Sequence, residues 1–320
     1  RGWLAGAISP SLKYSFAAGI GLFLAFVGLF ETGIVARGPI VPVQIGDLSS
    51  TNVLLALGGF VLIMTLLHRR VPGAILIGIV ATAGAGILLG LGRAPKAIAA
   101  LPFTGSYSLA PIALQLDVAG VLTISFLPIL LTLFLMSFLD TLGTLIGVGA
   151  AGGMLDEQGN FPGVEKPMTV DAIACMLSGL VGTSTSGAYI ESATGIREGA
   201  RTGLAAVTTA ALFALSLFFI PLAEPLQTLK FAYGPALIAV GVLMLDSVRR
   251  IDFGDLTELV PAFLTIAMMV FTYNIANGLT AGLVLHPVMK LLAGRRREIH
   301  GGSVVLAALC LVYYIFGLPH

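Results

Sequence analysis

Two acidic residues lie in stretches of the sequence that are otherwise too apolar for water. Asp140 lies in LTLFLMSFLDTLGTLIG, and Glu191 lies in GTSTSGAYIESATGI. A carboxylate in hydrocarbon is costly unless it faces a cavity or a partner, so an acid inside a membrane is a functional candidate by default. Both acids adjoin hydroxyl-bearing residues and glycine, which predicts a polar pocket at mid-membrane that binds a small molecule.

Asp140 falls in the middle of a long stretch that predicts a helix. Ser137 and Thr144 lie at positions i−3 and i+4, on the same face as Asp140. Gly143 and Gly147 have the spacing that lets a neighbouring helix approach closely. The alternative is a purely structural aspartate that is satisfied by these hydroxyls.

The segment 182–199, GTSTSGAYIESATGIREG, is the richest in chemistry. Its four consecutive hydroxyl residues between glycines favour extended or unwound backbone, which membrane proteins tolerate only around a cavity or inside protein. Ser186 or Gly187 could cap a half-helix that begins near Ala188, with Glu191 one turn further on. The alternative is a surface loop in which Glu191 is solvated.

Composition places these acids in a membrane protein. The chain is 57% hydrophobic and 10% charged, with a mean hydropathy of +1.00, whereas a soluble domain carries about 25% charged residues. A basic stripe with interleaved aromatic residues is absent from the sequence, so no nucleic-acid partner is predicted. Cys175 and Cys310 are interpreted as small hydrophobic residues, and the sequence contains no HExxH motif or cofactor fingerprint that would favour an intramembrane enzyme.

About eleven apolar segments follow one another along the chain. Their bounds are roughly 13–30, 52–67, 71–92, 121–150, 168–182, 184–196, 200–222, 232–248, 257–273, 275–292 and 303–317. Several are shorter than the roughly 20 residues that a straight span needs, so tilted, broken or half-helices are expected. The last segment either spans the membrane or lies at its surface.

The basic residues predict the orientation. If the first span runs outward, thirteen basic residues are cytoplasmic: Arg1, Lys13, Arg69, Arg70, Lys166, Arg197, Arg201, Arg249, Arg250, Lys290, Arg295, Arg296 and Arg297. Four are external: Arg37, Arg93, Lys96 and Lys230. This distribution follows the positive-inside rule.

The block from FLDTLGTLIGVGAAGG through GTSTSGAYIESATGIREGARTGL closely resembles the nucleobase:cation symporter-2 (xanthine/uracil permease) family, in its purine branch of hypoxanthine, guanine and adenine permeases. The opening SLKYSFAAGIGLFLAFVGLFETGIV and the later PAFLTIAMMVFTYNIANGLTAG also resemble that branch. The resemblance extends over almost the whole chain. It implies an all-α polytopic fold of fourteen segments in two inverted seven-segment repeats, divided into a core and a gate domain.

The resemblance also implies site residues. Asp140 matches the acid of segment eight and Glu191 the acid of the broken segment ten, where a short extended stretch meets the substrate. Substrate binding is thereby expected at Asp140, Glu191, Thr144, Thr185, Ser186, Gly187, Ala188 and Tyr189, and proton coupling at Asp140 and Glu191. Ser186, Gly187 and Ala188 stand where the branch usually has valine and two threonines, which leaves the exact base open. Thr144 replaces the histidine of the uracil branch and argues against a uracil-type proton relay.

The same alignment places the chain from segment five onward, with about ten spans plus a C-terminal hydrophobic segment. Residues 11–117 would form the first part of the gate domain, 118–222 the second half of the core, 223–292 the second part of the gate, and 293–320 the C-terminal segment. Segments one to four would be absent, so this chain alone is expected not to transport.

The expected activity is import of purine nucleobases with protons across a bacterial cytoplasmic membrane, without a cofactor or a bound metal and by movement of the core against the gate. The expected partners are the purine, a proton or sodium ion, the lipid bilayer and a second copy in a homodimer. A xanthine, uracil or small-anion transporter of the same fold is the alternative, and an intramembrane enzyme is a more distant one. His286 is expected to be structural rather than a proton relay, and Asp171 is expected to pair with a nearby base.

Overall fold

The computed structural model describes residues 7–93, 95, 97–123, 126–156, 161–189, 192–197 and 199–316. Most of these residues are helical. The helices are α1 (Pro10–Glu31), α2 (Thr51–His68), α3 (Ala74–Leu88), α4 (Val118–Val121), α5 (Leu127–Ala151), α6 (Glu165–Val181), α7 (Ser192–Arg197), α8 (Gly203–Ser216), α9 (Ile220–Ala223), α10 (Lys230–Met244), α11 (Leu256–Phe271), α12 (Ile275–Leu292) and α13 (Gly301–Phe316). Two short strands, β1 (Val35–Ala36) and β2 (Gln44–Ile45), pair antiparallel.

Five helical stretches in the described part of the chain are long and apolar enough to cross a membrane. They are Pro10–Glu31, Thr51–His68, Gly203–Ala223, Lys230–Arg250 and Ile275–Leu292. Shorter apolar helices cover Ala74–Leu88, Leu256–Phe271 and Gly301–Val312. The prediction of a mostly helical polytopic membrane protein is therefore confirmed, while the number of spans and the inverted repeat stay predictions.

Backbone contacts divide the chain into two compact units. The first unit contains residues 1–19, 103–205 and 246–320, and the second contains residues 20–102 and 206–245. Within the first unit, α11 and α12 form a hairpin in which the backbones approach closely. A methyl group at Gly278 would collide with the carbonyl oxygen of Thr265, and one at Gly282 would collide with its hydroxyl.

In the second unit, α10 packs against α2 and α3. One core cluster here combines alanines with a leucine and a phenylalanine, namely Ala56, Ala83, Leu229, Phe231 and Ala232. Glycine again permits close contact, because a Cβ on Gly28 of α1 would lie 2.6 Å from the carbonyl oxygen of Gly234 on α10. In a membrane, lipid tails are as apolar as the helices, so burial of apolar surface does not drive helices together. Close packing of small residues contributes to their association instead.

Helix α6 ends at Val181, and after the capping residue Gly182 the chain continues as a non-helical run, residues 183–189, which is the extended segment. Gly182 has φ = +81°, and the N–H of Thr183 donates to the carbonyl oxygen of Ser178 at 3.0 Å. This is the left-handed helix end that glycine favours. Residues 183–189 are non-helical and exposed, so the predicted unwound backbone is confirmed.

The prediction that a half-helix begins near Ala188 is wrong, because α7 begins at Ser192. Within the predicted apolar segment 184–196, residues 184–189 are non-helical and 192–197 form this short helix, in agreement with the expected broken helix. The backbone N–H of Ala188 donates to a side chain of α6.

Candidate functional site

Asp171 on α6 connects three segments of the first unit. Its Oδ2 accepts a hydrogen bond from Thr141 Oγ1 of α5 at 2.6 Å, and its Oδ1 accepts one from the backbone N–H of Ala188 at 3.0 Å. The side chain is buried, with 9% of the residue exposed. The predicted pairing of Asp171 with a base is therefore wrong, since its partners among the described residues are a hydroxyl and a backbone amide.

Cys175 makes a second connection one turn further along α6. Its thiol donates to the carbonyl oxygen of Ser186, with 3.1 Å between Sγ and oxygen. Asp171 and Cys175 are four residues apart and share a helix face. That face therefore holds the extended segment by both a donor and an acceptor, on either side of Gly187. The sequence alone indicates only a small hydrophobic residue at Cys175 and gives no signal for this contact.

The structure places most of the predicted site residues on two elements. Asp140 lies in the middle of α5 with an exposed side chain, and Thr144 is buried one turn later. The remaining described members, all exposed, lie on the extended segment: Thr185, Ser186, Gly187, Ala188 and Tyr189. Glu191 lies outside the described residues. Thr141, the neighbour of Asp140, is what ties α5 to the extended segment through Asp171.

This arrangement changes the chemistry available to a ligand. A half-helix that began near Ala188 would leave its first backbone N–H groups for a ligand, but the N–H of Ala188 donates to Asp171. Thr185, Ser186 and Tyr189 keep exposed side chains, and hydroxyl groups both donate and accept. The segment can therefore offer hydroxyl groups to a small polar ligand, while hydrogen bonds to Asp171 and Cys175 hold its backbone against α6.

A second polar cluster of the first unit involves α11 and α12. Glu258 of α11 receives a hydrogen bond from Ser9 Oγ at 2.6 Å, and its Oε1 lies 3.1 Å from His286 Nε2 and 3.0 Å from Lys290 Nζ. His286 and Lys290 are 6% and 4% exposed. These contacts support the expectation that His286 is structural.

The N-terminus of α11 extends this cluster. Asp255 caps the helix by accepting from the backbone N–H of Thr257, and Arg295 pairs with the same carboxylate. Hydrogen bonds from Thr257 first, and then from Arg295, hold the pKa of Asp255 well below its usual value. Among the described residues, no group of three His, Cys, Asp or Glu side chains is placed to hold a metal ion.

The chain is similar to known permeases. A family model described as the permease family, that of the xanthine/uracil permeases, matches residues 1–280. The chain is 39% identical to an adenine permease of Escherichia coli, over 97% of this chain and 68% of that protein. It is 37% identical to a second adenine permease of Escherichia coli, over 99% and 69%. It is 36% identical to a guanine/hypoxanthine permease of Bacillus subtilis, over 97% and 69%.

Proposed function

This chain belongs to the xanthine/uracil permease (nucleobase:cation symporter-2) family, and from that premise we propose that it carries purine nucleobases across the cell membrane. The observation that carries the proposal is the similarity along almost the entire chain to permeases named for adenine and for guanine and hypoxanthine. The apolar helices agree with a multi-pass membrane protein.

The proposed binding site lies between α5 and the segment 183–191. A purine presents N–H donors along one edge, together with ring nitrogens and carbonyl oxygens that accept. The carboxylates of Asp140 and Glu191 would take the donors, because a carboxylate accepts two hydrogen bonds at once. The hydroxyls of Thr185 and Ser186 would serve the acceptors, in place of the Ala188 amide that Asp171 already occupies.

Proton coupling belongs to the same proposal. A carboxyl group in a site of low dielectric resists ionisation and can take up a proton that travels with the substrate. Asp140 and Glu191 are the proposed carriers, with sodium as the alternative ion.

The proposed architecture assigns 11–117 and 223–292 to the gate, 118–222 to the core and 293–320 to a C-terminal segment, in a homodimer. Movement of the core against the gate would expose the site alternately to the two sides of the membrane.

Uptake of radiolabelled adenine, guanine and hypoxanthine tests the proposal. The full-length protein would be expressed in cells that lack their own purine permeases. We expect saturable uptake of at least one base, mutual competition among the purines, and inhibition by a proton uncoupler. Uptake no faster than in cells with an empty vector would contradict purine transport. Uptake that resists the uncoupler but requires sodium would contradict proton coupling and leave purine transport unaffected.

A further inference from the structure

A cavity of about 350 Å³ lies within the second unit. It is lined by the end of α1 with the residues after it, the segment that leads into α2, and the start of α10. Its volume falls within the range of small-molecule sites, roughly 300–1,000 Å³. The cavity is remote in sequence from every residue proposed above for the central site.

The polar lining of the cavity combines acceptors with donors. Glu31 and Lys230 form an ion pair with 2.7 Å between Oε2 and Nζ, and Tyr233 donates to the same carboxylate oxygen at 3.2 Å. Both contacts are made to one oxygen of the carboxylate, and a carboxylate has two oxygens that accept. Asn52 adds an exposed amide, which can both donate and accept.

Asp47 supplies a second carboxylate from the loop before α2. Its Oδ1 accepts from the backbone N–H and the hydroxyl of Ser49, and these bonds lower the pKa of Asp47. The group therefore remains an ionised acceptor. Its Oδ2 is outside these bonds and so can accept from a ligand.

The rest of the lining is mixed: Val53, Leu91 and Phe231 are apolar, whereas Thr32, Ser50 and Thr228 carry hydroxyl groups. Val53 and Phe231 line it with 3% and 5% of their surface exposed. The ammonium group of Lys230 disfavours a metal cation, and the two carboxylates disfavour an anion. A neutral heterocycle with both N–H donors and acceptor atoms matches this mixture of carboxylates, hydroxyls, an amide and an ammonium group better than either ion does.

We infer that this cavity is a second binding site for purine nucleobases, separate from the proposed central site. The inference rests on the proposed function for the identity of the ligand. The lysine and arginine distribution predicts that Arg37 and Lys230 lie outside the cell, so the cavity would open toward the external solution. A site there would capture purine directly from the external solution.

Protection of an engineered cysteine tests this site directly. In a full-length protein with Cys175→Ser and Cys310→Ala, the change Asn52→Cys places a thiol in the cavity wall. An impermeant thiol reagent is added outside intact cells, with adenine, guanine or hypoxanthine at increasing concentration. We expect at least one purine to slow the modification several-fold and saturably. Gln44→Cys, exposed on β2 and not part of the lining, is the matched control and should react at the same rate with and without purine.

A second background separates this site from the central one. With Glu191→Gln added, protection of Asn52→Cys should persist at an unchanged half-maximal purine concentration. Loss of protection in that background would show that the effect comes from the central site and would overturn the inference, as would no protection in either background. If the wild type also fails to take up purine, the proposed function fails as well. Normal uptake of purine without protection of Asn52→Cys would contradict the second site and leave the proposed function unaffected.

A kinetic variant gives an independent readout. Asp47→Asn removes a charge from an exposed loop and keeps an oxygen that can accept from Ser49. We expect the KM for uptake to rise several-fold, with an unchanged maximal rate and melting temperature. An unchanged KM would contradict a role of the cavity in substrate capture.

Discussion

At the residue scale, Asp171 is the most informative side chain, because its two oxygens join segments that are far apart in sequence. Thr141 is 30 residues before it and Ala188 is 17 residues after it. A buried polar group that loses its partner costs about 1–3 kcal/mol. Truncating Asp171 would leave both a buried hydroxyl and a backbone amide without this acceptor.

We expect Asp171→Ala to abolish purine uptake and to lower the melting temperature, because the extended segment is released from α6. Asp171→Asn should retain part of the activity, since the amide oxygen still accepts from Ala188 and the Thr141 hydroxyl can reverse its role. Ser178→Ala is the control, because that buried hydroxyl donates to the carbonyl of Ala174 within its own helix. Uptake assays and thermal unfolding measure the effects. Full activity in Asp171→Ala would contradict the anchoring role.

The acids of the proposed central site are tested by isosteric amides. Glu191→Gln turns one acceptor oxygen into a donor that faces the substrate N–H, which should cost about 1.5–3 kcal/mol, or roughly ten- to a hundredfold in affinity. Asp140→Asn should impair uptake more than equilibrium binding if Asp140 carries the proton. Binding by calorimetry and uptake in cells separate the two effects. Uptake at the wild-type rate by both variants would contradict the assignment of Asp140 and Glu191 to the binding site.

At the scale of elements, glycine positions decide how closely helices approach. In the α11–α12 hairpin, the missing side chain of Gly282 leaves room for the Thr265 hydroxyl. A Cβ added to Gly84 of α3, by contrast, would meet nothing within 4 Å in the described part of the chain. Both are helical glycines in apolar stretches, so their sequence contexts do not distinguish them.

We therefore expect opposite results from the same substitution at these two positions. Gly282→Ala should destabilise the protein by about 1–3 kcal/mol, because the methyl group forces α12 away from α11. Gly84→Ala should be neutral or stabilising, by up to about 1 kcal/mol, since alanine is the better helix former. Melting temperatures in detergent provide the comparison. Equal shifts for the two variants would show that the α11–α12 contact is not tight.

The ion cluster at the α11–α12 ends is a second test at this scale. Lys290 is buried and contacts Asp255, Glu258 and Glu298 at 3.5, 3.0 and 2.9 Å. Removal of one partner from a buried pair costs about 3–5 kcal/mol, so Lys290→Met should strongly lower the melting temperature. Arg249→Met breaks the exposed 3.8 Å contact with Asp246 and should change stability by less than about 1 kcal/mol. A small change in melting temperature for Lys290→Met would contradict a stabilising role of this ion cluster.

At the scale of the whole molecule, the orientation of the helices in the membrane follows from basic residues that lie between apolar segments. The positive-inside rule places Arg69, Arg250 and Arg296 in the cytoplasm and Arg37 outside. Each of these four side chains is exposed in the structure, so engineered thiols at these positions would be accessible to solvent.

Cysteine labelling tests this orientation. With the native cysteines replaced, Arg37→Cys should react with an impermeant reagent in intact cells. Arg69→Cys, Arg250→Cys and Arg296→Cys should react only after the membrane is permeabilised. Labelling of Arg37→Cys and Arg69→Cys from the same side would overturn the orientation, and with it the external position of the cavity beside Glu31 and Lys230.

Composition and local pattern were sufficient for the membrane class, the family and the unwound run after Gly182. The first depends on the apolar content of the whole chain, and the last on hydroxyl residues and glycine that weaken a helix locally. None of these depends on which element packs against which. They could therefore be read from residues that are close together in sequence.

Only the tertiary structure determined which groups form hydrogen bonds with Asp171. Asp171 carried no sequence signal for Thr141 and Ala188, because a hydrogen bond across 30 or 17 residues exists only once α5, α6 and the extended segment are packed. The structure also begins the helix at Ser192 rather than near Ala188, where the backbone is non-helical and the amide is bound to Asp171. Periodicity describes one helix at a time, whereas these contacts are made between elements.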